Sequence, residues 1–195
     1  MSILDFKSNL LGGGARANQF RVELTFPSFV QGGTAAARKA QFLVTAASLP
    51  GSQIGIASVF YRGREVKLPG ERSFSNWSIQ ILNDTMFDIH DAFEQWMNTI
   101  NDVKENTGLT NPQSYTANAI VNQLDRNGAV VKTYTFADVW PVSVGEIGLD
   151  FGNNDQIESF GVELAYSFWE TSSNPTSVSA SIGINTPIGG AGIRL

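Results

Sequence analysis

A strand pattern that runs directly into a helix pattern, within residues 74–101, constrains the fold of this chain most. Between residues 74 and 83, apolar side chains such as Trp77 and Ile79 alternate with polar ones, and this period of two is typical of a strand with one buried face. Apolar residues then recur at spacings of three and four, which predicts an amphipathic helix over about residues 87–101. That stripe consists of Ile89, Phe93, Trp96 and Ile100. We therefore expect the strand and the helix to pack on one core.

The segment between them carries the signals of a helix start. Asn83, Asp84 and Thr85 offer side-chain oxygens for capping, and Asp88 follows Thr85 at the spacing of a capping box. Because a helix dipole stabilises acidic groups at its N-terminus, it accounts for Asp84, Asp88 and Asp91 without a catalytic role.

Period-two runs elsewhere in the chain predict a mainly β fold. They cover residues 19–26, 41–48, 54–61, 115–124, 130–136 and 157–169. Asn127-Gly128 is a strong hairpin signal, residues 31–37 are expected to form a Gly- and Ala-rich loop, and Trp140-Pro141 interrupts the pattern. Six or seven mostly sequential strands with one helix predict an antiparallel β-sandwich or barrel with one packed α-helix.

The longest of these runs, residues 157–169, has two different faces. The apolar face consists of Phe160, Val162, Leu164, Tyr166 and Phe168. The other face is small, polar and slightly acidic, and consists of Ser159, Gly161, Glu163, Ala165 and Ser167. Since alternate residues of a strand point to opposite sides, only the apolar face is expected to enter the core.

The composition divides the chain into three segments: an N-terminal arm at residues 1–18, a β-sandwich domain at residues 19–170, and an extended C-terminal arm at residues 171–195. The N-terminal arm carries five large apolar residues: Ile3, Leu4, Phe6, Leu10 and Leu11. A free tail rarely carries so many, so we expect this arm to dock, either on its own domain or on a neighbouring subunit.

A basic loop is expected just before the strand at residues 74–83. It extends from Tyr61 to Glu71 and contains Arg62, Arg64 and Lys67, with Arg72 directly beyond. Pro69-Gly70 predicts a turn within it, because Pro presets φ and Gly accepts the positive φ that follows.

The composition excludes several classes of function. With 13 basic against 18 acidic residues the net charge is −5, which argues against binding of nucleic acid through its phosphates. The chain has no cysteine, and no apolar run approaches the ~18 residues of a membrane span. We therefore expect no thiol catalysis, no zinc ribbon and no membrane partner, and a protein that is soluble when made.

The residues needed for catalysis or a cofactor are also missing. His90 is the only histidine, it lies off the apolar stripe, and it is expected to be solvated or capping. No serine has the glycine pattern of a nucleophile elbow, and the glycine clusters lack the Lys-Ser/Thr of a phosphate loop. The acidic and amide residues of 150–158 do not follow the spacing of a calcium loop. We expect neither an enzyme nor a cofactor.

Several blocks of this sequence resemble the tail tube proteins of T4-like contractile-tailed bacteriophages. The densest blocks are YRGREVKLPGERSF, NWSIQILND and FEQW, all within residues 61–96. Further blocks are NQFRV at residues 18–22, ASLP at residues 47–50 and WPVSVGEIGLDFGNNDQIESFGVELAYSFWE at residues 140–170. Together they span about residues 17–170 in the order of the family.

The resemblance implies a structural protein of the virion. It implies that six subunits join their sheets into a ring-shaped β-barrel and that rings stack into a hollow tube inside a contractile sheath, with DNA as a passenger in the lumen. The implied partners are other copies of the chain, the sheath protein, and baseplate and tape-measure proteins. The implied location is the phage tail, assembled in the host cytoplasm.

Two sets of residues acquire expected roles from this resemblance. The ring-stacking contact is expected to use Arg62, Arg64, Glu65, Lys67, Glu71 and Arg72. The face that lines the lumen is expected to consist of Ser159, Gly161, Glu163, Ala165 and Ser167. The first of these predictions competes with an ordinary solvated hairpin.

Three alternatives stay open from the sequence. The chain could form a specialised baseplate or terminator ring, or the inner tube of a contractile injection system. A monomeric carbohydrate-binding β-sandwich would use tryptophans as stacking platforms, and the candidates are Trp77, Trp96, Trp140 and Trp169. Trp77 and Trp96 lie on apolar faces and are expected in the core.

Overall fold

The computed structural model describes residues 2–10 and 14–173. Nine strands and four helices lie within these residues. The strands are β1 (Phe20–Leu24), β2 (Val44–Ala47), β3 (Ser52–Tyr61), β4 (Arg64–Phe74), β5 (Trp77–Leu82), β6 (Ala117–Leu124), β7 (Val130–Val144), β8 (Ser159–Ala165) and β9 (Phe168–Ser173). The helices are α1 (Ile3–Asn9), α2 (Gly33–Leu43), α3 (Asp88–Ile100) and α4 (Pro112–Tyr115).

Two antiparallel sheets share strand β7. Its first part pairs with β6 on one side and β9 on the other, and β1 extends that sheet beyond β6. Its last part, from Trp140 to Val144, pairs with β8, which is followed by β5 and β2. The predicted mainly β, antiparallel fold is confirmed, and Trp140-Pro141 marks the point where β7 passes from one sheet to the other.

The run at residues 157–169 is two strands rather than one. Phe160, Val162 and Leu164 of β8 are buried as predicted, but the chain then crosses to the other sheet, where the backbone N–H of Ser167 donates to the carbonyl of Ala137 at 3.0 Å. The alternation shifts at this crossing, so the predicted inward position of Phe168 is wrong. Trp169 packs against the core in its place.

Aromatic side chains from several elements fill the core. Trp77 of β5 stacks on Phe136 of β7 with ring centroids 4.5 Å apart, and Phe93 and Trp96 of α3 lie against Phe26 at 5.2 and 5.6 Å. Of these five aromatic residues, four are less than 9% exposed, and Phe26 is partly buried. The predicted core positions of Trp77 and Trp96 are confirmed.

Helix α3 occupies the predicted range, but its start differs from the prediction. Phe87 is the residue before the helix, it has a φ of +56°, and its side chain makes no capping hydrogen bond. The Asp84 carboxylate instead accepts the backbone N–H of Asp88 at 3.2 Å. The proposed Thr85–Asp88 capping box is therefore wrong, whereas a capping role for this segment holds through Asp84.

Helix α2 was not expected, because residues 31–37 were predicted as a loop and residues 41–48 as a strand. Only Val44–Ala47 of that second run form a strand. The segment is rich in Ala, Arg, Lys and Gln, which are strong helix formers. Ala36 and Ala40, one turn apart, are buried, so the helix approaches the core closely with small side chains. The sandwich thus has two long packed helices rather than one.

The N-terminal arm contains a short helix that does not touch the core. Ser2 and Asp5 form a complete capping box around α1, and all residues of this helix are exposed.

Of the predicted C-terminal arm, residues 171–173 complete β9, and the rest of that prediction lies outside the described residues. No helix in the described ranges is long and apolar enough to cross a membrane.

Removal of the Phe136 ring should destabilise the domain strongly. We expect Phe136→Ala to lower the free energy of unfolding by about 3–5 kcal/mol, because it leaves a cavity against Trp77. Phe42→Ala is the matched control, since Phe42 is 83% exposed and its loss should change the stability by less than about 0.5 kcal/mol. Urea denaturation followed by tryptophan fluorescence measures both, and equal effects would contradict this core assignment.

Candidate assembly surfaces

Strands β3 and β4 form a two-stranded sheet that is separate from the sandwich. All residues from 52 to 73 are exposed, including the turn between the strands. Only the last residue of β4, Phe74, is partly buried, with its ring 5.8 Å from Tyr166 and 6.4 Å from Trp169. A solitary two-stranded hairpin is at best marginally stable in water, and this one has no third strand among the described residues.

The turn of this hairpin lies at Arg62-Gly63 and not at Pro69-Gly70. Arg62 has a φ of +47° and Gly63 a φ of +78°, which are the backbone values of a tight two-residue hairpin turn. Pro69 and Gly70 lie within β4, where the register shifts opposite residues 54–56. A Cβ atom at Gly70 would lie 3.0 Å from the carbonyl oxygen of Gly55, so glycine serves close approach of the strands there. The predicted loop is a ribbon.

The hairpin has one apolar face and one mixed face. Cross-strand partners lie on the same side of a sheet, and the pairs Val59–Val66 and Ala57–Leu68 place four apolar residues together. Tyr61 and Arg64 continue this side at the turn. The apolar strip is the name used below for five residues of this side: Ala57, Val59, Tyr61, Val66 and Leu68. Each is exposed.

The six predicted stacking residues are distributed around this ribbon. Arg62 lies at the turn with its guanidinium 5.4 Å from the centre of the Tyr61 ring, and Arg64 lies at the end of the apolar strip. Glu65 and Lys67 lie on the mixed face, where the Ser58 hydroxyl donates to the Glu65 carboxylate at 2.6 Å. Glu71 and Arg72 lie nearer the base. None of the six takes part in a salt bridge among the residues that the structure describes.

The outer face of β8 carries most of the predicted lumen residues. Ser159 and Glu163 are exposed, while Gly161 and Ala165 are partly covered by neighbouring strands. Gln80 of β5 donates to the Ser159 hydroxyl at 3.1 Å on the same side of the sheet. The fifth predicted residue, Ser167, is exposed but lies in the crossing between β8 and β9 rather than on this face. These side chains are directed away from the core, which leaves the face available.

The loops at the other end of β5 and β8 form a third surface. The backbone N–H of Asn83 donates to the carbonyl of Glu158 at 2.8 Å, and the Asn83 side-chain amide donates to the Glu158 carboxylate at 3.3 Å. These bonds join residues 83–87 to residues 145–158. Five apolar residues are exposed here: Met86, Phe87, Leu149, Phe151 and Ile157. We call this surface the distal end.

Lys39 of α2 forms ion pairs with both Asp84 and Asp88 beside that surface. The hydrogen bond from Lys39 holds the pKa of Asp84 below its ordinary value of 3.8, and it is the largest cause of the shift. The two carboxylates raise the pKa of Lys39 in turn. This arrangement fastens α2 to the start of α3, and the sequence patterns did not predict it.

No catalytic or sugar-binding arrangement is formed by the described residues. His90 is not solvated as predicted, because its ring lies 5.0 Å from Phe160 and only 16% of its side chain is exposed. His90, Asp91 and Glu94 are the one group of described residues with metal-ligand spacing, and neither Asp91 nor Glu94 is buried. The four tryptophans are all buried or partly buried, which removes the stacking platforms that a carbohydrate site would need.

The sequence of this chain is similar to those of known tail tube proteins. The family model for phage tail tube proteins matches residues 15–172. The tail tube protein of Serratia phage KSP90 is 31% identical over 155 residues, which cover 80% of this chain and 87% of that protein. Tail tube protein gp19 of Enterobacteria phage T4 is 30% identical over 161 residues, which cover 82% and 93%.

Solved structures with low sequence identity share the fold. A chain of the anti-feeding prophage baseplate gives a TM-score of 0.56 at 14% identity, with 82% of this chain and 96% of that chain covered. A chain of the sheath–tube complex of an extracellular contractile injection system, PVC, in its extended state gives 0.55 at 14% identity, with 86% and 97% covered.

Loss of the Lys39 cation should change the dependence of stability on pH. Because the pKa of Asp84 is depressed in the folded state, its ion pair stabilises the protein above about pH 4, and this stabilisation is lost as the pH falls through the folded-state pKa. Lys39→Met should therefore unfold more easily than the parent protein at pH 7, and the difference should narrow towards pH 2. Arg38→Met, at an exposed neighbour, is the control. A difference that does not vary with pH, measured by urea denaturation, would contradict this role.

Proposed function

Since this chain belongs to the phage tail tube protein family, we propose that six copies close into a ring and that the rings stack into the hollow inner tube of a contractile phage tail. The observation that carries the proposal is the hairpin β3–β4, which is exposed from Ser52 to Ser73 and bears an apolar strip. An exposed apolar surface on a ribbon of this kind is characteristic of an interface between chains. The protein acts as a structural component and catalyses no reaction.

Closure of the ring would also give partners to the unpaired edge strands of the sandwich. Strands β1 and β2 lie at the ends of the strand order, so each has one side without a strand partner among the described residues. Unpaired edges promote aggregation unless another strand or element covers them. Pairing of edges between subunits converts this liability into a continuous β-barrel wall.

The hairpin supplies the contact between rings in this proposal. Arg62, Arg64 and Lys67 are exposed and form no salt bridge among the described residues, so they are available to carboxylates of an adjacent ring. The mixed face adds Glu65 to this contact, and the base of the hairpin adds Glu71 and Arg72. Burial of the apolar strip stabilises this contact further, because ion pairs at an exposed surface contribute little by themselves.

The outer face of β8 supplies the wall of the lumen. Ser159, Gly161, Glu163 and Ala165 present short side chains with a single carboxylate, and Ser167 lies beside them at the strand crossing. A wall of this kind offers no cation to DNA phosphates and repels them weakly, so DNA passes through without being held. The DNA is a passenger and is not read by sequence.

The remaining partners follow from a tube inside a contractile tail. The sheath protein surrounds the tube, baseplate proteins start it, and a tape-measure protein occupies the lumen before DNA does. The tail of the virion is the location, with assembly in the host cytoplasm. Support comes from the family and from the shared fold with chains of assembled baseplate and sheath–tube complexes.

Reversal of two hairpin charges should prevent stacking without unfolding the subunit. We expect Arg64→Glu with Lys67→Glu to give a folded protein that forms few or short tubes, because like charges would meet across rings. The control is Lys104→Glu with Arg126→Glu, an equal change at two exposed residues outside the hairpin. Negative-stain microscopy and circular dichroism measure the outcome, and long tubes from the hairpin variant would contradict the stacking role. Single rings from the parent protein would favour a specialised ring.

A cysteine at position 163 should report whether the β8 face lines the lumen. The natural chain has no cysteine, so Glu163→Cys gives a single thiol. In assembled tubes we expect this thiol to react with a small maleimide but to be protected from a maleimide–polyethylene glycol too large to enter the tube. Glu105→Cys, on the exposed loop after α3, should react with both reagents. Equal reaction of the two variants with the large reagent would exclude a lumen position.

A further inference from the structure

The hairpin and the distal end lie at opposite ends of the same two strands. In the pairing of β5 with β8, Trp77 faces Leu164 next to the hairpin base, and Leu82 faces Ser159 next to the distal end. Six residues of extended strand separate them, which is about 20 Å. The two surfaces therefore adjoin opposite ends of β5.

The two surfaces carry opposite charge. Residues 52–74 contain four basic and two acidic residues, a net charge of 4 − 2 = +2. The distal end together with the first turn of α3, which is residues 83–91 and 145–158, contains seven carboxylates and neither Lys nor Arg. They are Asp84, Asp88, Asp91, Glu146, Asp150, Asp155 and Glu158. Lys39 pairs with the first two of these, which leaves five carboxylates without a cationic partner among the described residues.

Both surfaces also carry exposed apolar side chains. At the distal end, Phe87 and Ile157 line one cleft, and Ile157 and Leu149 line a second. The Phe151 side chain is fully exposed, and Phe87 is 41% exposed although its backbone has a φ of +56°. A positive φ is uncommon for a bulky residue. A partner that covers Phe87 and Phe151 would bury this apolar area.

We propose that the distal end is the receptor for the hairpin of a second copy of this chain in the adjacent ring. The apolar strip of the hairpin covers Phe87, Leu149, Phe151 and Ile157, and its basic residues meet the unpaired carboxylates around them. This inference rests on the proposed function and adds the surface onto which the hairpin docks. Because the two contacting surfaces differ, the contact is head-to-tail and leaves a free surface at each end, so stacking continues without closing.

Charge reversal at each surface, alone and combined, tests this pairing. The hairpin variant is Arg64→Glu with Lys67→Glu, and the distal variant is Glu146→Lys with Asp155→Lys. Glu146 and Asp155 are exposed and make no side-chain hydrogen bond among the described residues, so the distal variant should fold normally. Each variant alone should form few tubes, whereas a chain with all four substitutions should recover tube formation, because opposite charges face each other again.

A mixture of the two variants gives a second readout. In a mixture, the normal hairpin of the distal variant meets the normal distal end of the hairpin variant, and the two reversed surfaces meet each other. Mixing should therefore give tubes of alternating rings that neither variant forms alone. Glu94→Lys with Glu105→Lys is the matched control, with an equal change of charge away from the distal end, and should form normal tubes. Electron microscopy and analytical ultracentrifugation distinguish these products.

The outcomes separate this inference from the proposed function. If the distal variant forms tubes like the parent protein, or if the four-substitution chain does not recover, the distal end is not the receptor. Tube formation by the parent protein then still supports the proposed function. If the parent protein forms neither rings nor tubes under any condition, the proposed function fails, and this inference fails with it.

Discussion

The rest of the structure depends on β7, which contributes to both sheets of the sandwich. Because its first part pairs with β6 and β9 and its last part with β8, the two sheets are joined through one continuous backbone. Phe136 of this strand stacks on Trp77 of β5, so the link between the sheets is also the centre of the core. The hairpin adjoins the first residue of β5 and the distal end adjoins its last, so the length of this strand separates the two surfaces.

The parts of the fold with strong local periodicity could be predicted from the sequence. The buried faces of β5 and α3 follow spacings of two and of three to four, and both are confirmed. Helix α2 could not be found this way, because Ala36 and Ala40 meet the core with small side chains and give no stripe of large apolar residues. The break between β8 and β9 is set by pairing with a distant strand, which no local pattern records.

The candidate surfaces were predictable only in part for the same reason. The hairpin charges stand out in the sequence, but their division between two faces depends on a turn at Arg62-Gly63, where the sequence indicated Pro69-Gly70. Residues 83–87 and 145–158 are far apart in the chain, and the bonds between Asn83 and Glu158 bring them together. Considered alone, the acidic and amide residues of 150–158 do not follow the spacing of a calcium loop, and their local pattern does not indicate a shared surface.

The weak attachment of the hairpin has a consequence for the kinetics of assembly. The two-stranded ribbon contacts the sandwich through Phe74, and fixing each residue of such a ribbon against a partner costs up to about 1–2 kcal/mol of conformational entropy. In the proposed tube, several hairpins would become ordered together when two free rings first meet, whereas an existing tube end would present distal ends that are already in place. Elongation would thereby be favoured over spontaneous nucleation, and free subunits would stay available until a starting ring is present.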